Sequence, residues 1–158
     1  SRRTTNVIAR RFRLHRDGDV RRVRARGKVS AHKALIARIL PNDLQPPQNR
    51  YTVIAGKKVG KAVQRNRLKR LTREALRCYH PWILPGHDIV LVCRGTVDEM
   101  PDLTHAQRSL HRILTRAELW IIPPGQPDGP PTPGSQVESG WSTPMVGAEL
   151  APAVEPTP

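Results

Sequence analysis

Five consecutive apolar residues, Ile89 to Cys93, sit inside the stretch HDIVLVCRG at 87–95. A short apolar run without alternation marks a strand covered on both faces. Such a strand requires elements packed above and below it, and the rest of the chain supplies candidates. DGDVRRVRAR, 17–26, reads as a short helix, with Asp17 or Asp19 able to cap it and Gly27 to end it. HKALIARIL, 32–40, reads as a strand that Pro41 stops, and RYTVIAGKK, 50–58, as a second strand. The turn residues of PNDLQPPQN between them predict a long hairpin. A helix over about 60–79 follows, closed by Pro81 and Pro85-Gly86, and a second long amphipathic helix occupies 102–120, starting near Asp102 or Thr104. The expected fold is α+β, a two-layer sandwich in the order α-β-β-α-β-α, with the two long helices on one side of a small sheet.

The C-terminal 36 residues differ in kind. Residues 123–158 contain no lysine or arginine, ten of the 16 prolines and four of the 13 acids. Proline fixes φ and removes an amide donor, and so little apolar surface cannot offset the entropy of ordering. The expectation is a basic arm over 1–12, a folded domain over 13–122 and a disordered tail over 123–158.

All 27 lysines and arginines and nine acids lie in residues 1–122, a formal charge of +18 there, and 21 of the 27 are arginine. The planar guanidinium fork matches phosphate oxygens, so the partner expected of this domain is nucleic acid, with an anionic membrane surface as runner-up. No apolar run is long enough to span a bilayer, and without an N-terminal hydrophobic stretch a secretory signal is not expected. The acid-free start resembles a mitochondrial transit peptide, but a basic arm touching a nucleic-acid backbone is the preferred reading, which places the protein in the cytoplasm. Cys78 and Cys93 lack metal-type spacing and are expected to be reduced and buried.

The charge concentrates in KAVQRNRLKRLTREAL, 61–76, where six bases face one acid, Glu74. At about 100° per residue, Gln64, Leu68, Leu71, Ala75, Cys78 and Tyr79 share a packing face. Asn66, Lys69, Arg70, Arg73 and Arg77 form the opposite stripe, flanked by Arg65 and Arg67. Like charges four residues apart cost a few tenths of a kcal/mol per pair. Phosphates laid along the stripe remove that cost and release counterions. Asn66 adds a neutral donor and acceptor suited to a sugar hydroxyl or base edge. The bland alternative is a solvated basic helix. GKKVGK, 56–61, lacks the spacing of a P-loop.

GKKVGKAVQRNRLKRLTRE, 56–74, resembles the signature of the bacterial ribonuclease P protein subunit, centred on Arg65-Asn66-Arg67. RLHRDGDVRRVRARGK, GHDIVLVCRG and QRSLHRILTRA are similar to its opening helix, late central strand and last helix, so the resemblance spans about 13–120. It implies an α/β sandwich with a left-handed strand–helix–strand crossover. It also implies binding to a catalytic RNA that removes the 5′ leader of precursor tRNA, with chemistry carried by Mg²⁺ on that RNA and no metal on the protein. No membrane and no obligate protein partner is implied. The resemblance assigns RNA contact to Arg65, Asn66, Arg67, Lys69, Arg70 and Arg73, with Lys57, Lys58 and Lys61 as the basic approach. It implies a leader cleft, where Val20, Arg24 and Arg38 stand in positions commonly aromatic and Tyr51 is one of the few rings left. Arginine planes stack on bases where rings do not.

Two other classes compete. A ribosomal-like RNA-binding module would bind structured RNA without affecting processing. A self-sufficient nuclease needs paired carboxylates or a histidine base. The acids Asp98, Glu99 and Asp102 are scattered near a turn, and His80, His87, His105 and His111 have no metal-ligand spacing.

Overall fold

The computed structural model describes residues 8–135 and Trp141. The chain runs α1 (Asp17–Arg26), β1 (Lys28–His32), β2 (Leu35–Pro41), β3 (Arg50–Ala55), α2 (Ala62–Tyr79), β4 (His87–Cys93), α3 (Leu103–Arg116). One sheet holds the strands in the order β1-β2-β4-β3. β2 is antiparallel to β1 and to β4, and β3 is parallel to β4. The β3–α2–β4 unit is therefore a parallel crossover between adjacent strands.

The apolar run 89–93 lies in the interior of this sheet. Ile89, Leu91 and Cys93 point into the main core, with α2 and α3 above them. Val90 points the other way into a smaller core with Leu14 and Val23, beneath α1. The two long helices share one face as expected, and α1 crosses the other. Gly27 makes that crossing possible. A Cβ there would lie 2.6 Å from the Val23 carbonyl and 2.9 Å from the Ile39 amide nitrogen, so only glycine lets α1 end directly on β2.

Two strand expectations need correction. The order is α-β-β-β-α-β-α, because KVSAH forms an additional edge strand, β1. Only partly buried and without apolar alternation, it carries no strand signal. Its two-residue turn to β2, Lys33-Ala34, lacks the usual Asn-Gly chemistry although Lys33 has φ 53°. The long hairpin does not form either, since β4 inserts between β2 and β3. The 41–49 loop is stitched across the start of β4. Asn42 Nδ2 donates to Asp88 Oδ1 (2.9 Å), the His87 amide to Asn49 Oδ1 (2.8 Å) and Asn49 Nδ2 to the Leu84 carbonyl (2.9 Å). That path carries β3 past β4. Pro41 is the last residue of β2 and pairs with His87 instead of preceding a hairpin turn.

Capping follows the sequence at one helix and departs at another. Asp102 caps α3 by accepting from the His105 amide at 3.0 Å. At α1 the cap position is Arg16, without a side-chain bond. Asp17 and Asp19 lie in the first turn, where negative charge complements the helix dipole.

The expected limits of the folded domain also shift at both ends. Ile8 and Phe12 are buried in the main core, so the arm expected over 1–12 contributes its last residues to the fold. The tail expected to be disordered from 123 is held over its first part. Trp82 Nε1 donates to the Asp128 carbonyl (2.9 Å), the Gly134 amide to Gln107 Oε1 (2.7 Å) and Gln107 Nε2 to the Ser135 carbonyl (3.3 Å). The Trp141 ring stacks 5.6 Å from Phe12 and lies 4.7 Å from His80. Aperiodic sequence can still dock when its few apolar groups meet a prepared surface. Residues 1–7, 136–140 and 142–158, where the rest of the arm and tail expectations fall, lie outside the described residues.

Candidate nucleic-acid interface

The entry to α2 is built tightly. A single 3₁₀ turn, Lys57–Val59, buries Val59 and leaves Lys57 and Lys58 exposed. Gly60 follows with φ 143°, and a Cβ there would collide with the Gln64 side chain. Gln64 folds back so that its Oε1 accepts from the Lys61 amide at 2.7 Å. Gln64 thus serves the helix start rather than the packing face. Arg65 Nη1 donates to the Gly60 carbonyl at 3.0 Å, fixing the first turn. No acid occupies that turn, so the positive end of the helix faces solvent without a counter-charge.

The nine RNA-contact residues expected from the sequence lie between Lys57 and Arg73, on this entry and the start of α2. Lys57, Lys58, Lys61, Asn66, Arg67 and Arg70 are exposed, and Arg65, Lys69 and Arg73 are half-buried. Arg67 is turned sideways, its Nη2 donating to the Pro101 carbonyl at 2.7 Å. Arg73 lines a cavity with Ile8, Arg13, Thr52 and Val53 at the β3 edge. The stripe is shorter than the helical wheel implies. Arg77 is buried and ion-paired to Glu74, so it leaves the cationic surface. Thr72 takes a place in the packing face that the wheel did not give it, donating to the Leu68 carbonyl at 2.8 Å.

The expected leader cleft divides. Arg24 and Arg38 line an open groove with Arg21 and Ala25, about 470 Å³ in volume, between α1 and the sheet face it crosses. Val20 packs beneath α1 against the Leu14–Val23–Val90 cluster. Tyr51 does not belong with them. Alternation along β3 points it to the opposite face, where it is fully buried. Its hydroxyl accepts from Asn49 Nδ2 (3.2 Å) and shares a 2.7 Å hydrogen bond with His80 Nδ1. Phe12 is likewise a core ring, with the Arg11 guanidinium 4.7 Å above it. Arg21 is the groove residue that sequence reasoning missed. Its one available signal was its place three residues before Arg24 on the same helix face.

The remaining arginines of this region have a structural task. Asp88 is fully buried, and Arg50 grips it through two bonds of 2.8 and 2.7 Å. That grip raises the Arg50 pKa above its ordinary value. Arg22 approaches the same carboxylate at 3.7 Å and Asp19 at 3.4 Å, tying α1 to the sheet. His80 is buried among Phe12, Tyr51 and Trp141, and burial with the Arg11 charge holds its pKa down to about 3. Cys78 and Cys93 are free and buried, and burial pushes both thiols up. Among the described residues no helix is long and apolar enough to cross a membrane.

Comparison with known proteins agrees with this architecture. The ribonuclease P family model matches residues 8–118. The ribonuclease P protein component of Caldanaerobacter subterraneus subsp. tengcongensis is 34% identical over 107 residues, covering 68% of this chain and 90% of the relative. That of Clostridioides difficile is 43% identical over 109 residues, covering 68% and 93%. The solved structure of the Staphylococcus aureus RNase P protein superposes with a TM-score of 0.60 at 25% identity, covering 69% of this chain and 97% of that one. The match begins at Ile8, the first described residue, and spans every helix and strand described above. This chain therefore belongs to the ribonuclease P protein family and serves as the protein component of that tRNA-processing endoribonuclease, working with an RNA partner.

Proposed function

We propose that the chain docks the entry and first three turns of α2 onto the catalytic RNA of ribonuclease P, and holds the 5′ leader of precursor tRNA in the α1–β2 groove. The carrying observation is the division of the bases. Arg22, Arg50 and Arg77 are held by Asp88, Asp19 and Glu74, whereas Lys57, Lys58, Lys61, Arg65, Arg67, Lys69 and Arg70 face no carboxylate within ion-pair distance among the described residues. Phosphates supply the missing counter-charge. In the groove, Arg24 and Arg38 give planar groups on which unpaired leader bases stack. The chemistry stays with the RNA and its Mg²⁺, and the protein acts in the cytoplasm without a membrane or an obligate protein partner. It positions the leader and lowers the Mg²⁺ requirement by supplying positive charge.

The test is cleavage of precursor tRNA at low Mg²⁺ by a bacterial ribonuclease P RNA, with and without the protein, and with the protein alone. Cleavage only when both are present is the expected result. Binding to RNA without stimulation would favour a binding module instead, and cleavage by the protein alone would place the chemistry on the chain.

A further inference from the structure

A second set of cations stands on the other edge of the molecule. Arg108, Arg112 and Arg116 recur every four residues on α3 and are exposed. At 1.5 Å rise per residue they make a ladder about 12 Å long. Lys33 and Arg94, also exposed, stand at its head. Several bonds lock this region together. Arg116 Nη1 donates to the Ala31 carbonyl (2.8 Å), Ser30 Oγ to the Ile113 carbonyl (3.1 Å) and Arg94 Nε to the Lys33 carbonyl (3.4 Å). His32 Nδ1 lies 3.0 Å from Ser109 Oγ, and the charges of Arg108, Arg112, Arg116 and Lys33 all add to the depression of its pKa that burial begins. None of the five cations has a carboxylate within 4 Å among the described residues. Asp102, whose carboxyl the Arg108 charge helps hold below its ordinary pKa after the hydrogen bonds from His105, is engaged in capping α3.

This face is separate from that of α2. Arg73 sits at the β3 edge and the ladder at the β1 edge, and β2 and β4 lie between them. Three strand spacings amount to about 14 Å. The segment 123–135 docks on the α2–α3 seam, where Gln107 bonds it and also reaches Cys78 Sγ at 3.4 Å. That segment has no lysine or arginine. Two cationic surfaces are thus divided by a band without bases.

We propose that the α3 ladder is a second RNA-binding face, which grips the phosphate backbone of a double-helical RNA segment distinct from the one on α2. The protein then bridges two segments of its RNA partner. The argument for a double helix is geometric. A straight ladder on a rigid helix suits a regular row of phosphates. Among the described residues no exposed phenylalanine, tyrosine or tryptophan accompanies it to stack unpaired bases. The inference rests on the RNA-partner reading given above.

The experiment compares wild type, Arg108→Ala/Arg112→Ala and Arg108→Lys/Arg112→Lys in the full chain. Neither side chain has a hydrogen bond among the described residues to lose, and thermal unfolding monitors the fold. The probes are a blunt 16-base-pair RNA duplex and a bacterial ribonuclease P RNA, titrated over a range of salt. The alanine pair is expected to lower the slope of log K against log salt by about two, and the lysine pair to keep it. With the ribonuclease P RNA, the losses from Asn66→Ala and from the alanine pair are expected to multiply, as for independent sites. An unchanged slope for the alanine pair, or an equal loss for the lysine pair, overturns the second face. If wild type fails to stimulate precursor cleavage, the subunit reading fails instead, and the duplex titration still decides whether the ladder binds RNA.

Discussion

The two halves of α2 have been put to opposite uses. From Ala62 to Arg70 the only buried residue is Leu68, and Val63 is 79% exposed. From Thr72 to Tyr79 the buried residues are Thr72, Ala75, Leu76, Arg77, Cys78 and Tyr79. The first half is anchored by Leu68 and presents its cations to solvent. The second is enclosed by β4, α3, Trp120 and the docked C-terminal segment. Continuous helical periodicity hides this change, because a helical wheel knows angle and not depth. The same guanidinium is open to solvent at Arg70 and an internal counter-ion at Arg77, and the surroundings decide which.

Substitutions can break that contrast in order of expected size. Leu76→Ala empties a fully buried site and is expected to cost about 2–5 kcal/mol in chemical denaturation. Val63→Ala in the exposed half should stay within about 0.5 kcal/mol. Comparable losses at both positions would show that the halves do not differ.

Acid acts next, through His80, which directly follows the enclosed half. His80 is neutral in the folded state down to about pH 3, whereas the unfolded chain takes up a proton near 6.5. Between those values the unfolded state binds more protons. Its stabilising contribution is therefore complete above about pH 6.5 and is lost as pH falls toward 3, by up to about 1.4 kcal/mol per pH unit. Stability measured across that window should show this slope, and His80→Asn should flatten it. An unchanged slope in the variant would assign it to other groups.

In the exposed half, Asn66→Ala is expected to leave denaturation unchanged and to weaken association with a bacterial ribonuclease P RNA by about 1 kcal/mol, the scale of one net hydrogen bond. Equal RNA affinity would remove Asn66 from the interface. The smallest expected effect tests the docked segment. Gln107→Leu removes its bonds to Gly134 and Ser135 at similar volume. It should cost about 1 kcal/mol, with increased proteolysis confined to the C-terminal segment. No change in either readout would mean that those two bonds do not hold the segment.

Legibility in the sequence followed the range of the interactions. The limits of α1, the Asp102 cap and the central strand 89–93 were readable because each depends on a few consecutive residues. The α2 cations gathered where the Arg-Asn-Arg pattern placed them, since one helix positions them all. Tyr51 was misread because alternation along β3 separates faces, and nothing local says which face α1 covers. Arg77 looked like its neighbours, since its burial depends on what packs over it.

Sequence alone determined the helices, the strands other than β1 and the excess of arginine, because periodicity, capping and charge are local or additive quantities. Tertiary structure alone decided that β4 lies between β2 and β3, that the base-free segment 123–135 packs, and that Lys33, Arg94 and the α3 arginines form one face. Each of these depends on contacts between residues far apart in the chain. Such contacts are set by which apolar faces must be buried together, and no single segment encodes that.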